Sequence, residues 1–457
     1  MRNTELLGIE QPWPKTGKSA TPAQPQPEAG TVWALDRWLA RAVLVGTGRP
    51  ALAIVLWNGE EFVPEGQKPV LRLIFRSRLA LLLMLLHPEL KFGDLYSIGQ
   101  IDVEGDFLAG LEAVYRAMHG PARSRYQKLL GFLQRYRSRS NTLRAARDNI
   151  HHHYDIDSAF YSLWLDNVAM QYTCAYYPAA QMTLEQAQIA KMHHVARKLR
   201  LKPGDAVVEA GCGWGGLAVF LAKRYGVKVR AYNISHEQVV YARERLKQTN
   251  VGSLVEYVED DYRNITGTYD VFVSVGMLEH VGTDHYRELG AVIDRCLKDD
   301  GRGLIHCIGR DRAQPMNPWI ERRIFPGAYP PTLREMMVIF EPYGFSVLDV
   351  ENLRLHYSRT LMAWLQRFES NTDTVGAMYD EIFVRAWRLY LLGSIAAFNV
   401  GALQLFQVVF NRATNNDLPW SRAHLYESAV SSGRSAVEGR ESELRGAARL
   451  HLSEPPD

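Results

Sequence analysis

The chain has 457 residues, a formal charge of +3 and 47% hydrophobic residues. This length exceeds what one hydrophobic core usually serves, so two domains are expected, and the nearly balanced charge gives no general case for nucleic-acid binding. The four cysteines, Cys174, Cys212, Cys296 and Cys307, lack the CxxC spacing of a zinc site, and no secretory leader is expected. We therefore expect a cytoplasmic protein with neither a disulfide framework nor a bound metal.

Both ends of the chain have compositions typical of disordered tails. Residues 1–30 are rich in Pro, Thr, Gln and Gly, and residues 416–457 are rich in Ser, Gly, Arg and Glu. Such segments contain too few apolar side chains to build a core. We expect folded structure only between them.

Residues 31–120 predict a small α+β domain. A helix is expected from Trp33, short strands at Ala51–Trp57 and Val70–Phe75, an apolar helix at Leu79–Leu86, and a further helix after the segment Tyr96–Gly105. The apolar run Leu79–Leu86 is far shorter than the roughly 20 residues that cross a bilayer. A membrane-spanning protein is not expected, although work at a membrane surface stays possible.

Residues 121–150 predict a basic amphipathic linker. Arginine, lysine and apolar residues alternate there with few acids, and the basic residues are Arg123, Arg125, Lys128, Arg135, Arg137, Arg139, Arg144 and Arg147. One interpretation is adsorption to anionic lipid, to which each basic residue near the surface contributes about 1 kcal/mol. The second interpretation is a solvated interdomain helix, and the sequence favours neither.

Residues 151–415 alternate between strand and helix patterns, which predicts a doubly wound sheet. From Leu361 to Gln407 the pattern is mostly helical and rich in aromatic residues, which we expect to form core. The predicted strands are Ala206–Ala210, Val227–Asn233, Val255–Val258, Tyr269–Val275, Gly303–Ile308 and Phe345–Val350.

The stretch Val-Val-Glu-Ala-Gly-Cys-Gly-Trp-Gly-Gly at 207–216 predicts a strand, a glycine turn and a helix start. Gly211 and Gly213 permit a tight turn, the first helical amides are unpaired, and Glu209 lies at the carboxyl edge of the strand, where ligands bind. The spacing is Gly-x-Gly-x-Gly rather than Gly-x-Gly-x-x-Gly, which argues against a nicotinamide or flavin. S-adenosylmethionine is the better candidate, although a purely structural turn would have the same spacing.

Five motifs occur in order along the chain. They are His-Tyr-Asp at 153–155, Gln-Tyr-Thr-Cys-Ala-Tyr-Tyr at 171–177, the glycine turn, Val-Gly-Met-Leu-Glu-His-Val-Gly at 275–282 and Ile-His-Cys-Ile-Gly at 305–309. Together they resemble the cyclopropane-fatty-acyl-phospholipid synthase family, which includes the mycolic acid cyclopropane synthases, from about residue 150 to 412. The resemblance implies a Rossmann-like class I methyltransferase domain with helical lipid-binding insertions, S-adenosylmethionine as methyl donor and a lipid alkene as acceptor.

The segment Gly-Asp-Leu-Tyr-Ser-Ile-Gly-Gln-Ile-Asp-Val-Glu-Gly-Asp at 93–106 looks like the sterol-carrier-like lipid domain of the longer, phospholipid-acting members. Its presence favours phospholipid-bound acyl chains over carrier-bound ones. A domain that only stabilises the catalytic one would also fit the segment.

In the resembling family a bicarbonate ion serves as the base, and the matching positions imply a site made of side chains and one amide. Cys, His and Tyr offer donors to an anion, while a Glu can bind its hydroxyl or orient the His. We assign Cys174 to anion binding rather than nucleophilic attack, because no neighbouring His or Lys activates it. For His306 a buried structural role stays open. The implied catalytic set is Cys174, Glu279, His306, Tyr357 and the amide of Ile308.

The resemblance also implies the cofactor contacts. Tyr172 and Thr173 precede the first strand, the glycine turn surrounds the amino acid and sulfonium, and His280 lies near the sulfonium or braces its loop. Asn233, where many members have Thr, follows the second strand near the ribose position, and Ser394 replaces a helix cysteine of several members. The implied set is Tyr172, Thr173, Glu209, Gly211, Cys212, Gly213, Gly215, Asn233, Gln238, Asp261, Tyr262 and His280.

The predicted function is the addition of a methylene group across the double bond of an unsaturated phospholipid acyl chain at the inner face of the membrane. A methyltransferase that converts the same carbocation into a methyl- or methylene-branched chain would carry the same motifs. A non-catalytic lipid-binding protein and a methyltransferase acting on oxygen or nitrogen of a small molecule are weaker hypotheses. A homodimer fits the family, but no sequence feature decides it.

Overall fold

The computed structural model describes residues 30–119 and 157–426, which form two sheets with their covering helices. The predicted linker at 121–150 lies outside the described residues, as do residues 1–29 and 427–457 of the predicted tails. The helices are α1 (Ala34–Gly46), α2 (Arg78–Leu86), α3 (Pro88–Ser97), α4 (Phe107–His119), α5 (Ser158–Ser162), α6 (Leu184–Lys198), α7 (Gly216–Tyr225), α8 (His236–Leu246), α9 (Tyr286–Cys296), α10 (Pro318–Arg323), α11 (Leu333–Phe340), α12 (Arg354–Glu369), α13 (Thr372–Met378) and α14 (Glu381–Asn399). The strands are β1 (Leu52–Val55), β2 (Glu61–Phe62), β3 (Leu71–Phe75), β4 (Ile101–Gly105), β5 (Ala206–Ala210), β6 (Lys228–Asn233), β7 (Val255–Glu259), β8 (Tyr269–Val275), β9 (Leu297–Arg310), β10 (Phe345–Asn352) and β11 (Leu403–Arg412).

The first four strands form a small sheet in the order β2-β1-β3-β4. β1 and β3 run parallel, and the two outer strands are antiparallel to their neighbours. Strand β3 alternates, so that Leu71, Leu73 and Phe75 enter the core while Arg72 on the other face pairs with Glu104 at 2.9 Å. Helices α1 and α2 close the core of this sheet.

The apolar run Leu79–Leu86 falls in α2, whose first turn is capped by Ser77: its Oγ accepts a hydrogen bond from the amide of Ala80 at 3.2 Å. Within residues 30–119 and 157–426, no helix is both long enough and apolar enough to cross a membrane.

The second sheet has seven strands in the order β10-β11-β9-β8-β5-β6-β7. All of them run parallel except β11, which is antiparallel to both of its neighbours. Adjacent residues of the central strand β5 serve different cores, since Val207 faces helices α6 to α8 and Val208 faces α9 and α11. The prediction of a doubly wound sheet is therefore confirmed.

The prediction that residues 361–407 are mostly helical is wrong at its end. Helix α14 stops at Asn399, Gly401 adopts a left-handed φ of 79°, and β11 follows. In β11 the side chains of Phe406 and Phe410 face one core while Leu405 and Val409 face the other side of the sheet. The hydrophobic spacing changes from a helical to a strand period after the glycine, within a stretch too uniformly apolar to reveal the change.

Helices α12 and α14 pack together over the carboxyl edge of the large sheet and contribute an aromatic cluster. Trp164 contacts Trp364 edge-on at 5.6 Å and Trp387 at 5.9 Å, measured between ring centroids. All three indoles are fully buried. The prediction that these aromatics form core is confirmed.

The small sheet packs against this helical layer through partly buried arginines. Arg385 of α14 donates to the carbonyl oxygens of Tyr96 at 2.7 Å and Ile101 at 3.0 Å, and its guanidinium lies 4.3 Å from the Tyr96 ring centroid. Arg323 of α10 pairs with Asp94 of α3 at 3.1 Å. These contacts fix the small sheet beside the carboxyl edge of the large one.

Residues 416–426, which the sequence analysis assigned to a disordered tail, make defined contacts. Asp417 pairs with Arg200 at 3.2 Å, Arg422 pairs with Asp349, and Leu425 is buried against the catalytic domain. Residues 416–426 are thus held by side-chain contacts that a compositional argument does not detect.

Candidate active site

The site is built where neighbouring parallel strands end. Ser274 of β8 donates through Oγ to the carbonyl of Ala210 at 3.0 Å, which ties the loops after β8 and β5 together. The amide of Gly276 donates to the carbonyl of His306 at 2.8 Å, which ties the loop after β8 to β9. Ligands bind at this edge of doubly wound sheets.

The glycine turn needs its glycines for geometric reasons. Gly211 has a φ of 84°, and a side chain there would place its Cβ 2.9 Å from Cβ of Met277 in the next loop. Gly215 has a φ of 79° and immediately precedes α7. Together they let the chain turn sharply into the amide end of α7, where an anionic group is favoured.

Two predicted residues after β6 join this turn. Asn233 donates through Nδ2 to the carbonyl of Gly213 at 3.2 Å and to Oε1 of Gln238 at 2.8 Å. Both side chains are buried. Asn233 and Gln238 therefore fix each other beside the turn, and Cys212 is buried in the turn itself.

Asp261 and Tyr262 follow β7, one strand further along the sheet. Asp261 accepts hydrogen bonds from the backbone amide of Arg263 at 2.9 Å and from its Nη1 at 3.1 Å. The amide of Asp260 donates to the carbonyl of Asn233 at 3.1 Å, so this loop lies against the end of β6. Tyr262 is buried, and the Arg263 guanidinium lies 4.9 Å from its ring centroid.

A buried lysine that the sequence analysis missed lies behind the site. Lys191 of α6 donates through Nζ to Oγ1 of Thr173 at 2.9 Å and to Oε1 of Gln171. Burial lowers the pKa of Lys191 and raises the pKa of Glu209, and each group partly offsets the shift of the other. Glu209 Oε2 is buried without a partner among the described residues. The sequence signal that could have identified Lys191 is a lysine on the apolar face of a predicted helix.

One cavity of about 420 Å³ collects the predicted catalytic residues. Three predicted cofactor residues, Tyr172, Thr173 and His280, line it too. The cavity continues between α12 and α14 and reaches the core side of the small sheet at Ile54 and Leu73. The catalytic residues that it brings together are Cys174, Glu279, His306, Ile308 and Tyr357.

One carboxylate oxygen of Glu279 accepts a hydrogen bond, and the other has no partner among the described residues. Its Oε1 accepts a hydrogen bond from the amide of Ile308 at 2.6 Å, whereas Oε2 is buried and has no partner among the described residues. Burial raises the pKa of Glu279 to about 7, although the Ile308 amide opposes the rise. The Ile308 amide, a predicted donor to the anion, thus donates to the Glu279 carboxylate in this structure.

The tautomer of His306 follows from its neighbour Gln407 on β11. Gln407 Nε2 lies 3.0 Å from His306 Nδ1, and because an amide nitrogen only donates, Nδ1 accepts. Burial holds the pKa of His306 well below its usual range, so the ring is neutral and its proton is on Nε2. Nε2 is buried and unpartnered among the described residues. His306 therefore presents an N–H donor. This tautomer depends on Gln407 of β11, the strand that the sequence analysis did not predict.

Cys174 and Tyr357 complete the set. The Cys174 thiol donates to the carbonyl of Ala175 at 3.1 Å, and burial raises the pKa of the thiol far above its usual range. This is a protonated donor rather than a nucleophilic thiolate. Tyr357 packs against Phe398 at 4.8 Å between ring centroids and lines the same cavity.

The remaining predicted cavity residues are aromatic or neutral. The Tyr172 hydroxyl lies 2.9 Å from that of Tyr390. Burial lowers the pKa of His280 to about 4, so the ring is uncharged at neutral pH, and it contacts Phe325 edge-on at 5.9 Å. Ser394 also lines the cavity. A largely apolar chamber with a few polar groups suits an apolar chain better than a polar substrate.

The predicted residues thus fall into two adjoining groups. The five catalytic residues share the cavity with Tyr172, Thr173 and His280, while the glycine-turn, β6 and β7 residues lie at neighbouring strand ends. Thr173 lies between the two groups. A Cβ added to Gly276 would lie 3.0 Å from Cγ2 of Thr173, and the next residue, Met277, faces Gly211 of the glycine turn.

Comparison with known proteins agrees with this geometry. The profile of the family described as mycolic acid cyclopropane synthetase matches residues 141–408, more than half of the chain. A probable fatty acid methyltransferase of Pseudomonas putida is 34% identical over 82% of this chain and 96% of its own length. The cyclopropane-fatty-acyl-phospholipid synthase of Escherichia coli K12 is 41% identical over 59% of this chain and 69% of its own length.

Solved structures extend the similarity to the fold. The cyclopropane synthase MmaA2 of Mycobacterium tuberculosis superimposes with a TM-score of 0.55 at 28% identity, over 58% of this chain and 97% of that one. The mycolic acid cyclopropane synthase CmaA1, solved as a complex with SAH and CTAB, gives a TM-score of 0.56 at 28% identity, over 58% of this chain and 98% of that one. The chain belongs to the mycolic acid cyclopropane synthetase family and is an S-adenosylmethionine-dependent methyltransferase.

Proposed function

We propose that this enzyme adds a methylene group across the double bond of an unsaturated phospholipid acyl chain to form a cyclopropane ring, with bound bicarbonate as the base. The observation that carries the proposal is a single cavity with two uncommitted buried polar atoms, Glu279 Oε2 and His306 Nε2, beside a long apolar remainder. An isolated alkene offers no proton to remove before attack. The protein must therefore position a base for the later deprotonation step.

The polar end suits a small oxyanion. His306 presents an N–H donor, Tyr357 has a hydroxyl in the same lining, and Cys174 is a protonated thiol. Glu279 Oε2 would accept from the hydroxyl of bicarbonate, and the bound ion would supply a basic oxygen for the deprotonation. Because His306 and His280 are both neutral, neither ring competes as a cation for the anion's basic oxygen.

The residues at the ends of β5, β6 and β7 suit S-adenosylmethionine. The left-handed turn at Gly211 and Gly215 admits a ligand close to the backbone, and Glu209 Oε2 is an unpartnered buried acceptor among the described residues. Asn233, Gln238 and the Tyr262 hydroxyl offer further hydrogen bonds. When bound, S-adenosylmethionine supplies an electrophilic methyl group on a sulfonium centre.

The apolar remainder of the cavity suits an acyl chain. Leu361, Leu389 and Phe398 line it from α12 and α14, and the lining continues into the small sheet. These side chains exclude water, which would otherwise quench a carbocation. The continuation into the small sheet supports a phospholipid-bound chain and a lipid-binding role for residues 31–120.

A methylated or methylene-branched chain is the second candidate product. It is favoured by the Pseudomonas putida relative, named a probable fatty acid methyltransferase, which is similar over nearly its whole length. The two outcomes share the methyl transfer and differ in the fate of the cation. Loss of a methyl proton with ring closure gives the cyclopropane, loss of a methyl proton after a 1,2-hydride shift gives the methylene branch, and loss of a chain proton gives a methylated alkene.

The test is incubation of the full-length protein with deuteriomethyl-labelled S-adenosylmethionine, bicarbonate and vesicles of unsaturated phospholipid, followed by lipid mass spectrometry. Ring closure gives an acyl chain that gains CD₂ and resists ozonolysis, and removal of bicarbonate lowers its yield. A CD₃-bearing chain, or a CD₂ product cleaved by ozone, would select the second candidate. No lipid-borne label under any condition would refute both.

A further inference from the structure

The outer surfaces of α1 and α2 are apolar although they face solvent. Trp38 is 59% exposed, Leu86 57% and Leu82 40%. We define the α1–α2 apolar face as Trp33, Leu35, Trp38, Val45, Leu79, Leu82 and Leu86, each at least 40% exposed. Single exposed apolar residues are ordinary, but seven of them on two helices that pack together indicate an interaction surface.

Both helices are apolar on two sides, which core formation alone does not require. In α1 the inward side is buried with Leu39 and Val43, yet the outward positions 35, 38 and 45 carry Leu, Trp and Val. In α2 the inward side is Leu81 and Met84, and the outward positions 79, 82 and 86 are all Leu. Spacings of three and seven residues place each outward set on one helix face.

The charges on these two helices and their flanks are almost entirely positive. Residues 30–50 and 76–88 contain one acidic residue, Asp36, which is fully buried and pairs with Arg78 at 2.7 Å. Five arginines lie in these two segments: Arg37, Arg41, Arg49, Arg76 and Arg78. Glu60 and Asp102 of the neighbouring sheet pair with two of them, so the surplus positive charge comes from Arg41 and Arg49. An apolar surface with tryptophans and an arginine rim is the composition that binds at the interface of an anionic bilayer.

The same two helices line the substrate cavity from within. Val43, Leu44 and Thr47 of the α1 end and Met84 of α2 belong to its lining. A bilayer seated on the α1–α2 apolar face would thus be separated from the cavity by the thickness of these helices. We propose that this face docks the enzyme on an anionic phospholipid bilayer, the source of its acyl chain.

The positive charge of the α1–α2 apolar face argues against its being covered by a second copy of the chain or by residues 1–29. A second copy meeting it through two-fold symmetry would set arginines against arginines. The leading segment, residues 1–29, carries three basic and three acidic residues, so it offers no net negative charge to the arginine rim. A bilayer with anionic headgroups satisfies both the apolar centre and the basic rim.

The inference rests on the proposed function for the identity of the substrate, but docking is measurable without turnover. The experiment is flotation of the full-length protein with vesicles of phosphatidylcholine, with or without phosphatidylglycerol. The test variant is Leu35→Gln/Trp38→Gln/Leu82→Gln. The matched control is Leu348→Gln/Leu355→Gln, which changes leucines that are 38% and 58% exposed on the catalytic domain.

We expect the test variant to bind phosphatidylglycerol vesicles at least about tenfold more weakly than the parent and the control. Parent binding should fall when phosphatidylglycerol is omitted or salt is raised. Vesicle binding by the test variant equal to the parent's would overturn the proposal, as would parent binding that is indifferent to phosphatidylglycerol. Light scattering that shows a parent dimer converted to monomer by the test substitutions would also overturn it and assign the face to a second copy.

Turnover separates docking from catalysis. With short-chain unsaturated phospholipid dissolved in detergent, the test variant should keep the parent's rate, which also shows that it is folded, while its rate on vesicles falls. Loss of both rates in a folded variant would overturn docking as the cause. If the parent itself turns over neither substrate, the proposed function fails while the flotation result still decides the docking face.

Discussion

Replacing Glu279 by glutamine should abolish most activity and yet stabilise the protein at alkaline pH. The substitution keeps the shape and keeps an oxygen that can accept from the Ile308 amide, now 2.6 Å from Oε1. What it removes is the ionisable carboxyl group. Burial raises the pKa of that group from 4.5 to about 7, a difference that corresponds to about 3 kcal/mol of unfavourable folding free energy once the carboxylate is ionised.

The direction with pH follows from proton binding. Below pH 4.5 the carboxyl is protonated in both the folded and the unfolded protein, and its full contribution to stability is present. Between pH 4.5 and about 7 only the folded state holds the proton, so the free energy of unfolding of the parent falls as pH rises. Glutamine has no such dependence. The stability of Glu279→Gln relative to the parent should therefore increase by about 2 to 3 kcal/mol between pH 5 and pH 8.

The assay is urea unfolding of both proteins at pH 5 and pH 8, paired with the methyl-transfer rate at pH 8. The contribution of His306, whose low pKa destabilises the folded state in acid, is common to both proteins and cancels in their difference to first order. Loss of the base-positioning carboxylate should lower the rate by about 10²- to 10⁴-fold. A relative stability that does not change with pH, or a variant that keeps the parent's rate, would refute the reasoning.

Three further predictions test different parts of the site. Lys191→Met should weaken the binding of S-adenosylhomocysteine by about 10-fold or more in calorimetry, because a lost charged hydrogen bond to Thr173 is typically worth about 1.5–3 kcal/mol; unchanged affinity would remove Lys191 from the site. Gly211→Ala should lower the free energy of unfolding by about 1–3 kcal/mol and impair cofactor binding, because of its φ of 84° and the contact with Met277; native stability in denaturant titration would contradict this. Cys174→Ser should keep much of the methyl-transfer rate because a hydroxyl also donates, and complete loss in a folded protein would point to thiol chemistry instead.

The parts of the fold that were predictable share a strong local pattern. Strands β5 and β8 are runs of buried apolar residues bounded by turn residues, and both were placed correctly from the sequence. β11 was not, because residues 395–410 on both sides of Gly401 are mostly apolar, and the glycine alone does not distinguish a following strand from more helix. Its antiparallel pairing with β9 and β10 is a tertiary choice that local propensity does not contain.

The site residues were predictable where they lie in recognisable motifs. They were not predictable where they only hydrogen-bond to other site residues from the surrounding core. Glu279 and His306 were found because the motifs that contain them resemble those of a family. Lys191 and Gln407 were not, because each occupies one position on a buried face and no spacing singles it out. Their importance is visible only in the hydrogen bonds they make to Thr173 and to His306.

The buried groups of this site have a common cause and a common consequence. Burial is the largest contribution to the pKa shifts of Glu209, Glu279, His306 and Lys191, and in each case it favours the uncharged form. Burial thus weakens the charged form of all four groups, and Glu209 Oε2, Glu279 Oε2 and His306 Nε2 have no protein partners among the described residues. Each such atom costs about 1–3 kcal/mol that a ligand can recover on binding. Cofactor and anion should thus stabilise the folded protein, and more strongly the more tightly they bind. The polar atoms of the site are therefore arranged to pair with ligands rather than with one another.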